Sequence, residues 1–272
     1  MRLLYLGATA LALAASPALA QSGPWSGPYV AGFAGYADAD NEDRETFLFD
    51  TDQDGAYDDT VLTSGGANAF SPGFCDGLAT SPTPAGGCAE DSDGGDFGVR
   101  LGYDWQSGAF VYGLLAEVSS AEVDDSVSAF STTPARYAMT REVDYITAIR
   151  GRFGYAWGRV MAYGTAGLAY GEVSRDFTTS NGANSFTERD DDAVMGVQIG
   201  AGAEFAVNDR VSLGLEYLRT SLEDGDYTVR AGPGTAPPTN PFLIVNPTGT
   251  DMRRSDTRFD ISSWRLTATY RF

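Results

Sequence analysis

An aspartate-rich stretch, DTDQDGAYDDT at residues 50–60, has the residue types and spacing of a calcium-binding loop. Carboxylate oxygens are preferred ligands of Ca²⁺, and aspartates at alternate positions can converge on one ion. Gly55 follows the third aspartate and supplies the sharp turn that such loops need. The predicted ligands are Asp50, Asp52, Asp54 and Asp58.

The stretch departs from a complete EF-hand, because the twelfth position is Val61 where a bidentate glutamate is required. It is closer to the short Asp-x-Asp-x-Asp-Gly-x-x-Asp loops of extracellular repeat proteins, which it resembles. Two interpretations stay open. The loop either binds Ca²⁺ weakly, with a dissociation constant on the order of 10⁻⁴–10⁻³ M, or is a solvated acidic segment that needs no cofactor.

The first twenty residues, MRLLYLGATALALAASPALA, predict the compartment. Arg2 precedes an apolar run, and the run ends in a cleavage site of the small-x-small type. We therefore predict a secretory signal peptide over residues 1–20 and a mature chain over residues 21–272. No later stretch has the run of about 20 apolar residues that a membrane-spanning helix requires.

Composition excludes several classes of function. The formal net charge is −19, and the 18 basic residues include no lysine. Binding to nucleic acid needs a basic face, so nucleic acid is excluded as a partner. The sequence also holds no histidine, which removes histidine-dependent hydrolysis and histidine-ligated zinc. We expect no enzymatic activity.

Segments typical of β-strands alternate with polar, turn-rich segments from residue 28 onward. Eight candidate strands lie at about 28–38, 95–106, 109–123, 141–157, 159–175, 192–207, 210–223 and 257–272. The connections alternate in length. Short turns fall near residues 106–108, 157–159 and 208–210, and long loops span about 39–94, 124–140, 176–191 and 224–256. This pattern predicts an all-β, up-and-down antiparallel transmembrane barrel of eight strands, with long extracellular loops and short periplasmic turns.

The first long loop holds most of the negative charge of the chain. Residues 38–93 contain fourteen acidic residues and one arginine. The only two cysteines, Cys75 and Cys88, also lie there. An exported chain folds in an oxidising compartment, so we predict that these two cysteines form a disulfide.

Apolar and polar residues alternate along the candidate strands. In SSWRLTATYRF at the C-terminus, one face carries Trp264, Leu266 and Tyr270, and the other carries Arg265 and Arg271. The same alternation turns the strand charges toward the barrel interior, where they must pair. The predicted interior charge network comprises Arg100, Asp104, Glu117, Arg150, Arg152, Glu204, Glu216 and Arg265.

Two local patterns interrupt this regularity. Phe259 and Ile261 have the opposite parity to the apolar residues that follow, which predicts a bulge near Ser262 and Ser263. The apolar run FLIV at residues 242–245 lies within a proline-rich loop. It is either a surface patch for a partner or an extension of a strand above the membrane.

Five segments carry a family resemblance: WSGPYVAGFAGYA, FVYGLLAEVS, AIRGRFGYAWGRVMAYGTAGLAYGEV, GAGAEFAVNDRVSLGLEYLR and WRLTATYRF. They resemble the small eight-stranded outer-membrane barrels of the opacity-type porin family, kin to the transmembrane domain of outer-membrane protein A. The resemblance implies the outer membrane of a Gram-negative bacterium, with lipid and lipopolysaccharide as surroundings. It also implies that Phe272 belongs to a C-terminal signal read by the outer-membrane insertion machinery.

The function expected from these features is structural and at the cell surface: envelope integrity, adhesion or shielding through the acidic loops. The alternative is a narrow pore for small solutes or cations. Eight strands enclose an interior just wide enough for side chains to fill, so the interior charges either plug the barrel or open transiently. A closed barrel has no free edges, so we expect a monomer.

Overall fold

An eight-stranded antiparallel barrel forms the body of the protein. The computed structural model describes residues 24–40, 45–189, 193–225 and 227–272, so the predicted signal peptide lies outside the described residues. The barrel strands are β1 (Gly27–Ala39), β2 (Gly94–Ser107), β3 (Phe110–Ala121), β4 (Ala135–Trp157), β5 (Val160–Thr179), β6 (Ala193–Ala206), β7 (Val211–Glu223) and β8 (Arg258–Arg271). Each strand pairs with the next, and β8 pairs with β1 to close the barrel. The predicted fold class is confirmed.

The outer face of the barrel is apolar. Exposed and buried residues alternate along β3 from Phe110 to Val118, as a closed barrel requires. Large aliphatic side chains point outward, with Leu101 64%, Ile149 68% and Leu266 69% exposed. Such exposure of apolar side chains around a whole barrel is typical of contact with lipid. Within the described part of the chain, no helix has the length and apolar character to cross a membrane.

Aromatic side chains ring the outer face near both ends. At the end of the barrel that carries the tight turns, Trp105 stacks on Tyr112 with ring centroids 5.8 Å apart. Toward the long loops, Tyr217 packs against Trp264 at 5.0 Å. On β8, Trp264 and Tyr270 are six residues apart, or about 20 Å at the usual rise of a strand. The two rings of aromatic residues therefore border an apolar band suited to a thin outer membrane.

The bulge predicted near Ser262 and Ser263 is absent, so that prediction was wrong. The register of β8 with β1 and with β7 runs through this region without a shift. Phe259 and Ile261 therefore stay on the inner face and are 0% and 1% exposed. Their position on the inner face reflects an apolar layer inside the barrel. A register shift does occur elsewhere, between Glu172 and Val173 of β5.

The long loops fold together into an ordered structure above the barrel. We name residues 45–93, 122–141, 175–189 and 227–257 the cap. Four short strands drawn from three different loops form an antiparallel sheet there, in the order Ser185–Arg189, Thr228–Gly232, Thr250–Arg254 and Phe47–Asp50. A further strand, Asp124–Ser131, pairs with the start of β4. Strand pairing between different loops thus holds the cap together.

The cap has its own apolar core. Its largest members are buried aromatic and sulfur-containing side chains: Phe47, Phe49, Phe70, Tyr137, Met139, Tyr227, Phe242 and Met252. The run at residues 242–245 contributes to it. Phe242 and Leu243 are 3% and 6% exposed and lie in a 3₁₀ turn, Pro241–Leu243, so the strand extension was wrong. Of the four residues, Ile244 and Val245 remain at the surface.

Candidate functional site

Among the described residues, ten charged side chains fill the middle of the barrel, and none is more than 6% exposed. The structure places all eight predicted residues there: Arg100, Asp104, Glu117, Arg150, Arg152, Glu204, Glu216 and Arg265. It adds Asp96 and Arg271, which have the inward parity of their neighbours on β2 and β8, so the alternation could have found both. Five arginines thus face five carboxylates, and the formal charge of this set is zero.

Glu117 is the centre of the network. One carboxylate oxygen lies 2.7 Å from Nη2 of Arg150 and 2.9 Å from Nη2 of Arg100. The other accepts a hydrogen bond from Nη1 of Arg265 at 2.6 Å. Glu216 receives two parallel hydrogen bonds from Arg100, at 3.0 and 2.7 Å. Bidentate pairs of this kind are the strongest charge-assisted hydrogen bonds in proteins.

A second group of pairs lies closer to the tight turns. Arg152 donates to both oxygens of Asp104, at 2.9 and 2.5 Å, and to Glu204 at 2.7 Å. Arg271 donates to the same Asp104 at 2.9 Å. Ser212 donates its hydroxyl proton to Glu204 at 2.9 Å. Each carboxylate of this group therefore has several partners, as burial of a charge requires.

Aromatic rings fill the space between the ion pairs. The guanidinium groups of Arg100 and Arg265 lie 5.1 and 4.5 Å from the ring centroid of Phe33, within the range of cation–π attraction. The ring of Tyr29 occupies the position where a side chain on Gly102 would stand, since a Cβ there would lie 2.3 Å from the ring. Glycine on the inner face thus makes room for an aromatic side chain.

An apolar layer separates this network from the cap. It consists of buried side chains on the inner faces of the upper strands, among them Ala37, Val143, Ile146, Val173, Val194, Leu222, Phe259 and Ile261. Leu222 and Phe259 are both 0% exposed. Water-filled channels are lined by polar side chains, whereas the interior at this level is lined by apolar ones.

A second layer of ion pairs lies between the apolar layer and the cap core. Arg141 donates to Asp125 at 2.7 Å and to Asp224 at 3.0 Å. Arg254 donates to Asp125 at 2.8 Å and to Glu45 at 2.6 Å. Arg141 lies in β4 and Asp224 directly follows β7, whereas the other three residues come from three segments of the cap, so the pairs join the cap to the barrel.

The aspartate-rich loop differs in detail from the predicted calcium site. Carboxylate oxygens of Asp50, Asp52 and Asp59 lie within 4.8 Å of one another. Asp59 was not predicted, and Asp54 and Asp58 are not in this group. Three hard oxygen donors suit Ca²⁺, although a full shell takes six to eight.

Backbone hydrogen bonds explain the different grouping. The buried carboxylate of Asp50 accepts from the amides of Gln53 and Gly55, at 2.6 and 2.9 Å, which turns the chain back on itself. Asp54 accepts from Ala56 at 2.8 Å. Asp59 accepts from both the amide and the hydroxyl of Thr51 at 2.7 Å, which brings it beside Asp50.

Cys75 and Cys88 form a disulfide, as predicted. The bond joins the strand Gly73–Asp76 to the two-residue strand Cys88–Ala89, which pairs with Leu78–Ala79. The bridge thus closes a small hairpin at the side of the cap.

The cap also holds a carboxyl group with an altered proton affinity. Burial raises the pKa of Asp91 to about 7, and the negative charge of Asp125 adds to the rise, whereas a hydrogen bond from the amide of Ser126 opposes it. An aspartate in an unfolded chain has a pKa of about 3.9. The folded cap therefore binds more protons than the unfolded cap between these values, and its stability falls as the pH rises from about 4 to about 7.

We predict that the cap resists protease better at pH 5 than at pH 8, and that Asp91→Asn removes most of this difference. The measurement is the rate of limited proteolysis of the folded protein across that range. Asp93→Asn, at an exposed position two residues away, serves as the control and should keep the difference. A dependence on pH that survives in Asp91→Asn would assign it to other groups.

A closed antiparallel barrel with an apolar belt, two rings of aromatic residues and a charge-balanced interior defines a transmembrane β-barrel. The family described as "Outer membrane protein beta-barrel domain" matches residues 6–272, and the chain belongs to that family. The resemblance to small outer-membrane barrels is thereby confirmed, and so is the location in the outer membrane of a Gram-negative bacterium.

Curated relatives have related descriptions. The "31 kDa outer-membrane immunogenic protein" of Brucella melitensis is 38% identical over 127 residues, which cover 46% of this chain and 52% of that protein. The "22 kDa outer membrane protein" of Rhizobium leguminosarum is 31% identical over 135 residues, 49% of this chain and 56% of that protein. The match thus spans about half the length of these relatives.

Solved structures of outer-membrane proteins are also similar. The outer membrane protein OprG of Pseudomonas aeruginosa superposes with a TM-score of 0.49 at 11% identity, covering 91% of this chain and 97% of that one. Neisserial surface protein A gives a TM-score of 0.37 at 10% identity, covering 91% and 98%.

Proposed function

We propose that the protein is a closed, non-conducting barrel that holds an ordered acidic cap at the cell surface. One observation carries this proposal: the charges of the interior network balance, because five buried arginines are paired with five buried carboxylates. A buried ion pair adds little net stability compared with apolar packing. The pairs instead fill a polar interior that eight strands leave too narrow for a wide channel.

The apolar layer above the network argues against the alternative, a narrow pore. A permeating ion would have to break the pairs around Glu117 and then cross a layer that contains Val143, Leu222 and Phe259. Crossing an apolar region without compensating ligands carries a large desolvation cost. The second layer of ion pairs, at Arg141 and Arg254, adds a further barrier.

The surface role is supported by the cap. In this proposal the tight turns face the periplasm and the cap faces outward among lipopolysaccharide, where net negative charge discourages contact with other acidic surfaces. The name of the Brucella relative describes that protein as outer-membrane and immunogenic, which fits a surface-displayed part. The protein acts as a monomer and without catalysis. Phe272, 74% exposed at the end of β8, serves as the signal for membrane insertion.

Single-channel recording tests this function. We expect the protein refolded into a planar bilayer to give no discrete current steps, because the interior charges are paired beneath an apolar layer. Correct insertion is verified in the same preparation by the altered gel mobility of the folded barrel. Steady steps from the wild-type protein would overturn the proposal and favour the narrow pore.

Calcium binding in the aspartate-rich loop is a second proposal, supported by the three converging carboxylates. Asp50, Asp52 and Asp59 would hold the ion, and the ion would stiffen the loop. We expect Ca²⁺ to slow proteolysis of the cap at about millimolar concentration, because extracellular modules bind Ca²⁺ in that range. Asp59→Asn should remove this effect and Asp58→Asn should keep it. If instead Asp58→Asn removed the effect and Asp59→Asn kept it, the ligands would be those expected from the sequence spacing.

A further inference from the structure

A concave pocket of about 260 Å³ opens in the cap, at the junction of four segments. Its walls come from the loop before β2, the turn that precedes β4, the segment after β5 and the loop before β8. All fifteen residues that line the pocket are uncharged. An uncharged pocket within so acidic a cap needs a separate explanation.

The floor of the pocket is aromatic. Phe70, Tyr137 and Phe242 lie against one another, with ring centroids 5.3 to 5.8 Å apart. All three are buried, at no more than 3% exposure. Hydroxyl-bearing residues line the same pocket: Ser131, Thr132, Thr133 and Ser180. The pocket therefore combines an apolar floor with a polar rim.

Asparagine side chains hold the walls in place. Asn181 donates to the hydroxyl of Tyr137 at 3.0 Å and to the side-chain oxygen of Asn184 at 2.9 Å. Asn240 donates to the same oxygen at 3.0 Å and accepts from the amide of Phe242 at 3.0 Å. These bonds tie three chain segments together. A pre-formed pocket binds its ligand without the cost of ordering loops.

The lining restricts the ligand. A cation would find no carboxylate in the pocket, and an anion would be repelled by the acidic cap around it. The volume lies just below the roughly 300–1,000 Å³ of pockets for drug-sized ligands, which favours a single ring over a long chain. The C–H groups of a pyranose ring can contact the small part of the aromatic floor that is exposed, and its hydroxyl groups can bond to the threonine and serine rim.

We propose that this pocket binds a neutral pyranose, such as the terminal sugar of a glycan that meets the cap from outside. The proposal goes beyond the structural role of the barrel, and it holds whether or not the barrel conducts. Conductance and sugar binding can therefore fail independently.

Saturation-transfer NMR on the full mature chain tests the proposal. The probes are the methyl glycosides of glucose, galactose, mannose and N-acetylglucosamine, with glucuronate as an anionic counterpart. The protein is held in an amine-oxide detergent, because the headgroups of maltoside and glucoside detergents are themselves pyranoses. We expect saturation transfer to at least one neutral glycoside and little to glucuronate.

Two matched variants locate the binding. Thr133→Trp places a large ring at the mouth of the pocket and should weaken binding by about tenfold or more. Thr83→Trp makes the same change at an exposed position on the disulfide hairpin and should leave binding unchanged. No transfer to any neutral glycoside would overturn the proposal, and so would transfer that persists in Thr133→Trp.

Discussion

Glu117→Gln is expected to lower the free energy of unfolding of the barrel by about 3–5 kcal/mol, the cost of leaving a buried charge without its partner. The substitution keeps the size of the side chain but removes the charge that three arginines share. The interior would then hold one more positive charge than negative charges. The excess charge would fall on Arg100, Arg150 and Arg265, none of which is more than 2% exposed. Urea unfolding in lipid vesicles, followed by the gel mobility of the folded barrel, measures the change.

A matched control separates this effect from a general sensitivity of the strands. Glu172→Gln is the same substitution on β5, where Glu172 accepts a hydrogen bond from Tyr145 at 2.7 Å near the surface. Its cost should stay within about 0.5 kcal/mol, as for most surface substitutions. Equal losses in the two variants would show that the interior pairs are not specially sensitive to a missing charge.

Phe70→Ala is expected to unfold the cap while the barrel stays folded. The ring of Phe70 packs against Phe49 at 4.6 Å and against Tyr137 and Phe242 at 5.3 and 5.8 Å. Truncating a buried phenylalanine costs about 3–5 kcal/mol, which is large for a structure made of a few short strands. Limited proteolysis should cut the cap early, and the barrel fragment should keep the gel mobility of a folded barrel.

Leu62→Ala is the control in the same loop, because Leu62 is 42% exposed. Its cap should resist protease almost as well as that of the wild-type protein. If the barrel of Phe70→Ala also lost its folded mobility, the cap and barrel would unfold as one unit. The ion pairs of Arg141 and Arg254 would then couple the two parts more strongly than we expect.

The barrel could be predicted because its signal is periodic and local. Inward charges such as Arg150 and Arg152 lie two residues apart, and each reports the orientation of its strand without knowledge of the neighbours. Phe259 and Ile261 show the limit of this rule. An apolar residue on the inner face looks like a break in register, because the alternation assumes that the whole interior is polar.

The cap could not be predicted in the same way. Its core joins Phe49, Phe70, Tyr137 and Phe242, which come from separate loops and follow no common period. Their contacts depend on how the loops meet above the barrel. The grouping of Asp59 with Asp50 was missed for a related reason, since it depends on hydrogen bonds to Thr51 rather than on spacing.

The sheet of the cap has a consequence for the order of folding. Its strand Phe47–Asp50 pairs only with Thr250–Arg254 among the named strands of that sheet, about two hundred positions later in the chain. Pairings with so large a sequence separation form late, because a long loop must close first. The cap sheet is therefore complete only after the last hairpin of the barrel has formed. Until then, a nascent or truncated chain exposes the unpaired edge of the strand Phe47–Asp50.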